Sequence, residues 1–169
     1  VKVRDFLGEG EWPTEAVVQF DPDGTAYCLH RRDQKGNTAY FGSASPPYTE
    51  WKWNDLGRRL GGPNLFRLPN GHWVGGGRLY DGGARTGLVY IDVEKRTMEA
   101  LLVLPSGGDT SYPGFVWHDD TLWMSYYSSH EGKTSIYLAE IEVGDRKQAS
   151  ARPFPVQKVH QRVNPQRSR

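Results

Sequence analysis

The chain reads Glu15-Ala-Val-Val-Gln-Phe20, then Asp23-Gly24 and Arg31, and this pattern returns twice. The two later copies are Asn64-Leu-Phe-Arg-Leu68 with Asn70-Gly71 and Arg78, and Tyr112-Pro-Gly-Phe-Val-Trp117 with Asp119-Asp120 and Tyr127. Successive copies begin 49 and 48 residues apart. A constant step of this length indicates repeated supersecondary units, and four short strands per step match one β-propeller blade. The sequence therefore predicts an all-β propeller with blades that start near residues 15, 64 and 112.

Composition agrees with short strands joined by tight turns. The 169 residues include 20 Gly and 11 Pro, and 12% of the residues are aromatic. The formal net charge of +1 gives no general attraction to nucleic acid or to an anionic membrane. No apolar run approaches the length of a membrane span. We therefore expect neither a nucleic-acid partner nor a membrane partner, and the sequence does not indicate a compartment.

Turn signals and period-two alternation divide each repeat into strands. The predicted strands cover 15–20, 25–32, 38–44 and 50–56, then 64–68, 72–80, 85–92 and 97–103, and finally 113–118, 121–128 and 134–143. The opening Val1–Leu7 is typical of the outer strand of a preceding blade.

Three blades are fewer than a closed ring requires, because propellers have four to eight. We therefore interpret residues 1–145 as a partial propeller, about half of a six-bladed ring. The chain could be a fragment, a truncated gene product, or a half-ring that closes as a homo-oligomer. Residues 146–169 are basic and lack periodicity, which favours a solvated tail. A closing strand within Phe154–Val159 is the alternative.

Polar residues stand where the repeats would converge. Glu15 and Tyr112 open inner strands, and Arg31 and Arg78 end second strands at equivalent positions. Arginine binds a carboxylate through two parallel hydrogen bonds, and a carboxylate can accept the proton of a tyrosine that attacks as a nucleophile. These residues therefore predict a site for an acidic substrate, with Asp109 as a further substrate contact.

Each of these residues also has a structural interpretation. Arg31 and Arg78 could be solvated strand ends, Glu15 could cap a turn, and Tyr112 could pack between blades. Asp109 could be a turn residue in Gly107-Gly-Asp-Thr110. The histidines are isolated from other ligand types, so neither a metal nor another cofactor is predicted.

The order Glu15, Arg31, Arg78, Tyr112 resembles the C-terminal half of the sialidase (neuraminidase) superfamily of six-bladed propellers. The stretch Leu122-Trp-Met-Ser-Tyr-Tyr-Ser-Ser-His-Glu131-Gly132, followed by Ile136-Tyr-Leu-Ala139, resembles the family's sequence after its nucleophile. Three further stretches are similar to an uncharacterised bacterial branch of that superfamily, namely Pro47-Tyr-Thr-Glu-Trp51, Gly61-Gly-Pro-Asn64 and Pro105-Ser-Gly-Gly-Asp-Thr-Ser-Tyr-Pro-Gly114. The family's repeated Asp-box is degenerate here, and its first arginine and acid/base aspartate come from earlier blades.

The resemblance implies specific roles. Tyr112 would be the nucleophile and Glu15 its base, as sialidases are the glycosidases with a tyrosine nucleophile. Arg31 and Arg78 would be two of the arginines that bind the substrate carboxylate, and Glu131 would support an arginine.

Three functions remain open at this point. The first is a sialidase-like exo-glycosidase that releases a terminal sialic acid or a related acidic sugar. The second is a non-catalytic propeller that binds glycans. The third is a glycosidase that acts on neutral sugars with two carboxylates, for which Glu15 and Asp109 are the candidate pair.

Overall fold

The structure, a computed structural model, describes residues 12–34 and 36–143, together with the backbone of 156–163. This part of the chain contains strands and turns and no helix. The strands form three antiparallel four-stranded sheets, one for each sequence repeat, which confirms the predicted all-β partial propeller. We call the sheets blade one, blade two and blade three.

Each blade is built from strands that are consecutive in the chain. Blade one contains β1 (Pro13–Phe20), β2 (Ala26–Arg32), β3 (Tyr40–Ala44) and β4 (Lys52–Asp55). Blade two contains β5 (Gly61–Arg67), β6 (Trp73–Leu79), β7 (Arg85–Asp92) and β8 (Thr97–Val103). Blade three contains β9 (Ser111–His118), β10 (Thr121–Ser128), β11 (Ser135–Val143) and β12 (Val156–Val163).

The strand bounds equal the predicted ones in β7, β8 and β10. Side-chain burial alternates along β10. The inner strands begin earlier than predicted, and β5 begins at Gly61 rather than at residue 64. The reason is compositional, because the sequence Gly61-Gly-Pro63 has low strand propensity and no apolar alternation.

The backbone of 156–163 pairs antiparallel with β11 as the outer strand of blade three. This strand overlaps the predicted alternative within Phe154–Val159, and its role in closing a ring stays a prediction. Predictions for Val1–Leu7 and for the rest of 146–169 lie outside the described residues.

Two apolar clusters fill the spaces between the blades. The first lies between blades one and two and includes Leu29, Phe41 and Trp73. The second lies between blades two and three and includes Leu122 and Met124. Blade two contributes to both clusters, and its inner strand β5 contacts both β1 and β9. The three inner strands therefore lie side by side, with β5 in the middle.

Within the described residues, no helix is long and apolar enough to cross a membrane.

Candidate active site

All three inner strands carry a β-bulge near their first residues. The pairing register skips between Pro13 and Ala16 in β1, between Gly61 and Asn64 in β5, and between Ser111 and Gly114 in β9. A bulge places an extra residue in one strand and redirects its side chain. The bulges contain Glu15, Gly62 and Tyr112, which meet at one end of the three strands.

The bulges of β5 and β9 use left-handed backbone conformations. The φ angle is 55° at Gly62 and 49° at Tyr112. The absence of a side chain at Gly62 also creates space, since a Cβ there would overlap Ser111 Oγ and lie 3.2 Å from Tyr112 Cδ1. A non-glycine residue in this conformation is uncommon, and such strain concentrates at functional sites. The backbone thus holds the Tyr112 ring close to β5.

The Glu15 carboxylate is the centre of the site. Its Oε1 accepts a hydrogen bond from the Tyr112 hydroxyl. Its Oε2 accepts hydrogen bonds from the backbone N–H of Gly62 at 2.7 Å and from Arg31 Nη1 at 3.1 Å. Each of the three blades therefore contributes a donor or the acceptor, and Tyr112 lies 97 residues from Glu15 in the chain.

These contacts determine which group carries the proton. Burial alone would raise the pKa of Glu15, but the hydrogen bonds from Tyr112, Gly62 and Arg31 outweigh it and hold the pKa below its ordinary value. The hydrogen bond to Glu15, with some burial, raises the pKa of Tyr112 above its ordinary value, although Arg78 and Arg31 act in the opposite direction. At neutral pH the pair therefore consists of a carboxylate and a neutral phenol.

Arg31 is held at two of its nitrogens. Its Nη1 donates to Glu15, and its Nε donates to Asp33 Oδ1 at 2.8 Å. The same Asp33 oxygen accepts a hydrogen bond from Arg59 Nη2 at 3.3 Å. The Arg59 guanidinium lies over the ring of Tyr80, 4.1 Å from its centroid. This chain of opposite charges fixes the plane of the Arg31 guanidinium.

Arg78 is held by β10 of blade three and by the loop that precedes β9. Its Nε donates to the carbonyl of Thr110 at 2.7 Å, and its Nη2 donates to Asp109 and, at 3.2 Å, to the Tyr127 hydroxyl. The Tyr127 ring stacks on Tyr112, with centroids 6.2 Å apart and an interplanar angle of 17°. Tyr127 thus contacts both the candidate nucleophile and the second arginine.

The two arginines retain donors for a ligand. Among the described residues, Arg31 Nη2 and Arg78 Nη1 have no hydrogen-bond partner. Both guanidinium groups lie close enough to Tyr112 to lower the energy of its ionised form. The arrangement can therefore bind an anion beside the phenol and deprotonate the phenol with Glu15.

The structure brings together most of the predicted site residues. Glu15, Arg31 and Tyr112 form direct contacts, and Asp109 pairs with Arg78. Asp109 therefore lies at the site as a partner of an arginine, and its predicted substrate contact stays a prediction. The described partner of Glu131 is the hydroxyl of Tyr137, at 3.0 Å, rather than an arginine. Its support of an arginine also stays a prediction.

Sequence reasoning missed four contributors, namely Asp33, Arg59, Gly62 and Tyr127. A signal existed for Tyr127, which occupies the position of Arg31 and Arg78 in the third repeat, one residue before the end of the second strand. The other three carry no sequence signal that separates them from ordinary loop and turn residues. Within the described ranges, no group of three or more His, Cys, Asp or Glu side chains could hold a metal ion.

Comparisons with known proteins show the fold. No family model matches the chain, and no curated protein matches it. Among solved structures, a protein of unknown function from Dyadobacter fermentans is similar over 77% of this chain and 38% of its own, with 22% identity and a TM-score of 0.62. A GH43B protein of a Bacteroides ovatus xyloglucan PUL is similar over 89% of this chain and 30% of its own, with 15% identity and a TM-score of 0.58.

A bifunctional GH43-CE protein from Bacteroides eggerthii is similar over 91% of this chain and 20% of its own, with 12% identity and a TM-score of 0.59. The chain therefore spans less than two fifths of the length of each of these structures. The two GH43 proteins are five-bladed propeller glycoside hydrolases and not sialidases, so they support neither six blades nor the sialidase superfamily. The fold of this chain is that of part of a β-propeller.

Proposed function

We propose that this chain carries the nucleophile and the carboxylate-binding arginines of a sialidase-like exo-glycosidase, which hydrolyses a terminal sialic acid or a related acidic sugar. One observation carries the proposal. The Tyr112 hydroxyl donates a hydrogen bond to the Glu15 carboxylate, and two guanidinium groups flank this pair. Tyrosine is a rare nucleophile among glycosidases, and it occurs in sialidases.

The geometry supports a two-step reaction. Tyr112 Oη forms a bond to the anomeric carbon while Glu15 takes the phenolic proton, and the bond to the leaving oxygen breaks. The leaving oxygen takes a proton from a general acid or from water. Water then attacks the anomeric carbon and gives a proton to the base that the first step left behind, which is the deprotonated general acid or hydroxide. Tyr112 Oη departs with the proton that Glu15 returns, and the configuration is retained.

The charges of the site suit an anionic sugar. A neutral phenol is not repelled by the substrate's carboxylate, whereas a carboxylate nucleophile would be. Arg31 Nη2 and Arg78 Nη1 each offer a donor to that carboxylate, and a charge-assisted hydrogen bond contributes about 1.5–3 kcal/mol. Asp33 and Asp109 pair with the same arginines and keep the site from holding excess positive charge.

A two-carboxylate glycosidase acting on neutral sugars is the second candidate, because two structural neighbours are GH43 glycoside hydrolases. In such an enzyme one carboxyl group must be protonated to act as the general acid, and this requires a raised pKa. The three hydrogen bonds that Glu15 accepts lower its pKa instead. Asp109 pairs with Arg78. The site therefore favours the tyrosine mechanism.

The test compares an aryl sialoside with a neutral aryl arabinoside, using the full protein and its Tyr112→Phe variant. We expect phenol release from the sialoside and a loss of about 10³-fold or more in kcat for Tyr112→Phe, since the nucleophile is removed. Tyr48→Phe is the matched control, because Tyr48 donates to the carbonyl of Gly24, which lies in the turn between β1 and β2 at the opposite end of β1 from Glu15.

Three results would contradict the proposal. Turnover of the arabinoside alone, unaffected by Tyr112→Phe, indicates the two-carboxylate enzyme. Saturable sialic acid binding without turnover indicates a glycan-binding propeller. Equal losses in Tyr112→Phe and Tyr48→Phe indicate a structural effect of removing a hydroxyl group.

A further inference from the structure

We infer that Asp33 is the positioning residue of the site, and that it holds the Arg31 guanidinium so that one nitrogen faces Glu15 and another faces the substrate. The inference rests on the proposed function for its catalytic consequence. The positioning itself can be tested without any substrate.

Asp33 is anchored from two directions. Its carboxylate Oδ2 accepts a hydrogen bond from Thr14 Oγ1 at 3.4 Å, and its backbone N–H donates to the carbonyl of Trp12 at 3.2 Å. Trp12 directly precedes β1, and Thr14 lies in the β1 bulge beside Glu15. On the other side, Oδ1 accepts from Arg59, which precedes β5. The carboxylate of Asp33 thus has a defined position between blades one and two.

This fixed carboxylate determines the orientation of Arg31. A guanidinium group is planar, and two hydrogen bonds at different nitrogens fix both its direction and its plane. Asp33 binds at Nε and Glu15 binds at Nη1, so Nη2 is left for a ligand. Without Asp33, Arg31 would keep a single anchor and could rotate about it. Glu15 would then lose a well-aligned donor.

Arg59 keeps the Asp33 charge from neutralising Arg31. The Asp33 carboxylate is shared between two guanidinium groups, so the order of charges from Arg59 to Glu15 alternates in sign. Tyr80 holds Arg59 in place through a cation–π contact. Asp33 therefore orients Arg31 and leaves positive charge available for an acidic ligand.

The test uses the direction in which Asp33→Asn changes the pKa of Glu15. The groups that face Glu15 are Tyr112 from β9, the N–H of Gly62 from β5 and Arg31 from β2, with Asp33 behind Arg31. Removal of a nearby negative charge lowers a carboxyl pKa through space, whereas loss of a hydrogen-bond donor raises it. The two effects of Asp33→Asn on the pKa of Glu15 therefore have opposite signs.

The measurement is a carbon-13 NMR titration of the Glu15 carboxyl group in the substrate-free protein. We expect Asp33→Asn to raise the pKa of Glu15 and Asp33→Glu to leave it close to that of the wild type. Asp109→Asn is the charge-matched control, because Asp109 pairs with Arg78 and not with Arg31. It should lower this pKa or leave it unchanged.

In the active protein, Asp33→Asn should raise KM for the acidic substrate roughly tenfold, with a smaller effect on kcat, since Arg31 binds the substrate carboxylate. A pKa of Glu15 that falls or stays constant in Asp33→Asn would overturn the inference. If the wild type hydrolyses no sialoside, the proposed function fails while the titration still decides whether Asp33 positions Arg31.

Discussion

At the scale of single residues, the proposed chemistry depends on the groups that surround the Glu15 carboxylate. Glu15 exchanges water for a phenol, a backbone N–H and a guanidinium group, each from a different strand. These three donors keep it ionised despite partial burial. The proton therefore resides on Tyr112, as the proposed role of this residue as a nucleophile activated during attack requires.

This protonation state gives a prediction for the pH dependence of stability. Because the folded protein lowers the pKa of Glu15, the stabilisation is fully present above the ordinary glutamate pKa of about 4.3, and it is lost as the pH falls through the lower folded value. The Tm difference between wild type and Glu15→Gln should therefore be constant from pH 7 to pH 5.5 and should shrink below pH 4.

Glu50→Gln is the control for that series, since Glu50 is exposed and precedes β4. Its Tm difference should remain small at every pH. A difference for Glu15→Gln that grows as the solution is acidified would mean that Glu15 is protonated in the folded protein, which would exclude it as the base.

At the scale of elements, the strands were predictable and the bulges were not. Alternation along β10 is a local property, and the bounds of this strand follow from the sequence. A bulge is a property of a pair of strands, because it depends on which residue lies opposite which. The sequence marks the three bulges only by prolines at or beside them: Pro13, Pro63 and Pro113. Proline is tolerated at bulges and strand starts.

The bulge of β5 gives a prediction for stability. Gly62→Ala adds a methyl group in a left-handed conformation and against Ser111 and Tyr112. Gly57→Ala is the matched control, because Gly57 has a φ of 70° and nothing within 4 Å of an added Cβ. We expect the control to lose about 1 kcal/mol of unfolding free energy, and Gly62→Ala to lose about 1–3 kcal/mol more.

Denaturant unfolding measures both free energies. Equal losses in the two variants would show that the space beside Gly62 is not tight, and Tyr112 would then not be held by β5. This outcome would also remove the physical reason for a glycine at this bulge.

At the scale of the whole molecule, the sequence repeat predicts a propeller, but it does not predict how many blades the ring contains. Each repeat specifies its own blade and its contact with the next one, but the closure of a ring depends on the total number of blades. The sequence resemblance favoured six, whereas the GH43 neighbours have five. The role of Arg59 was unpredictable for a similar reason, because its hydrogen bond to Asp33 forms only where blades one and two meet.

Blade two joins the two apolar clusters, so the three blades should unfold together. The alkylation rate of Cys28, in β2, measures this unfolding. Cys28 is 7% exposed, and burial raises its pKa to about 11, so its thiol reacts only when blade one opens.

Met124, fully buried in blade three, belongs to the second cluster. Its replacement by alanine should cost about 2–5 kcal/mol, and at pH 8 it should speed Cys28 alkylation roughly 30-fold or more.

Leu29→Ala, in the first cluster, should speed Cys28 alkylation whether or not the blades unfold together. Val116→Ala, at a site that is 60% exposed, should change the alkylation rate little. If Met124→Ala lowered the Tm while Cys28 alkylation kept its wild-type rate, blade one would be stable without blade three. The bridge between Glu15 and Tyr112 would then connect two independently folding units. The distance between Tyr112 and Glu15 would then fluctuate with the relative motion of the two units, and a site that depends on this contact could not be preorganised by the fold.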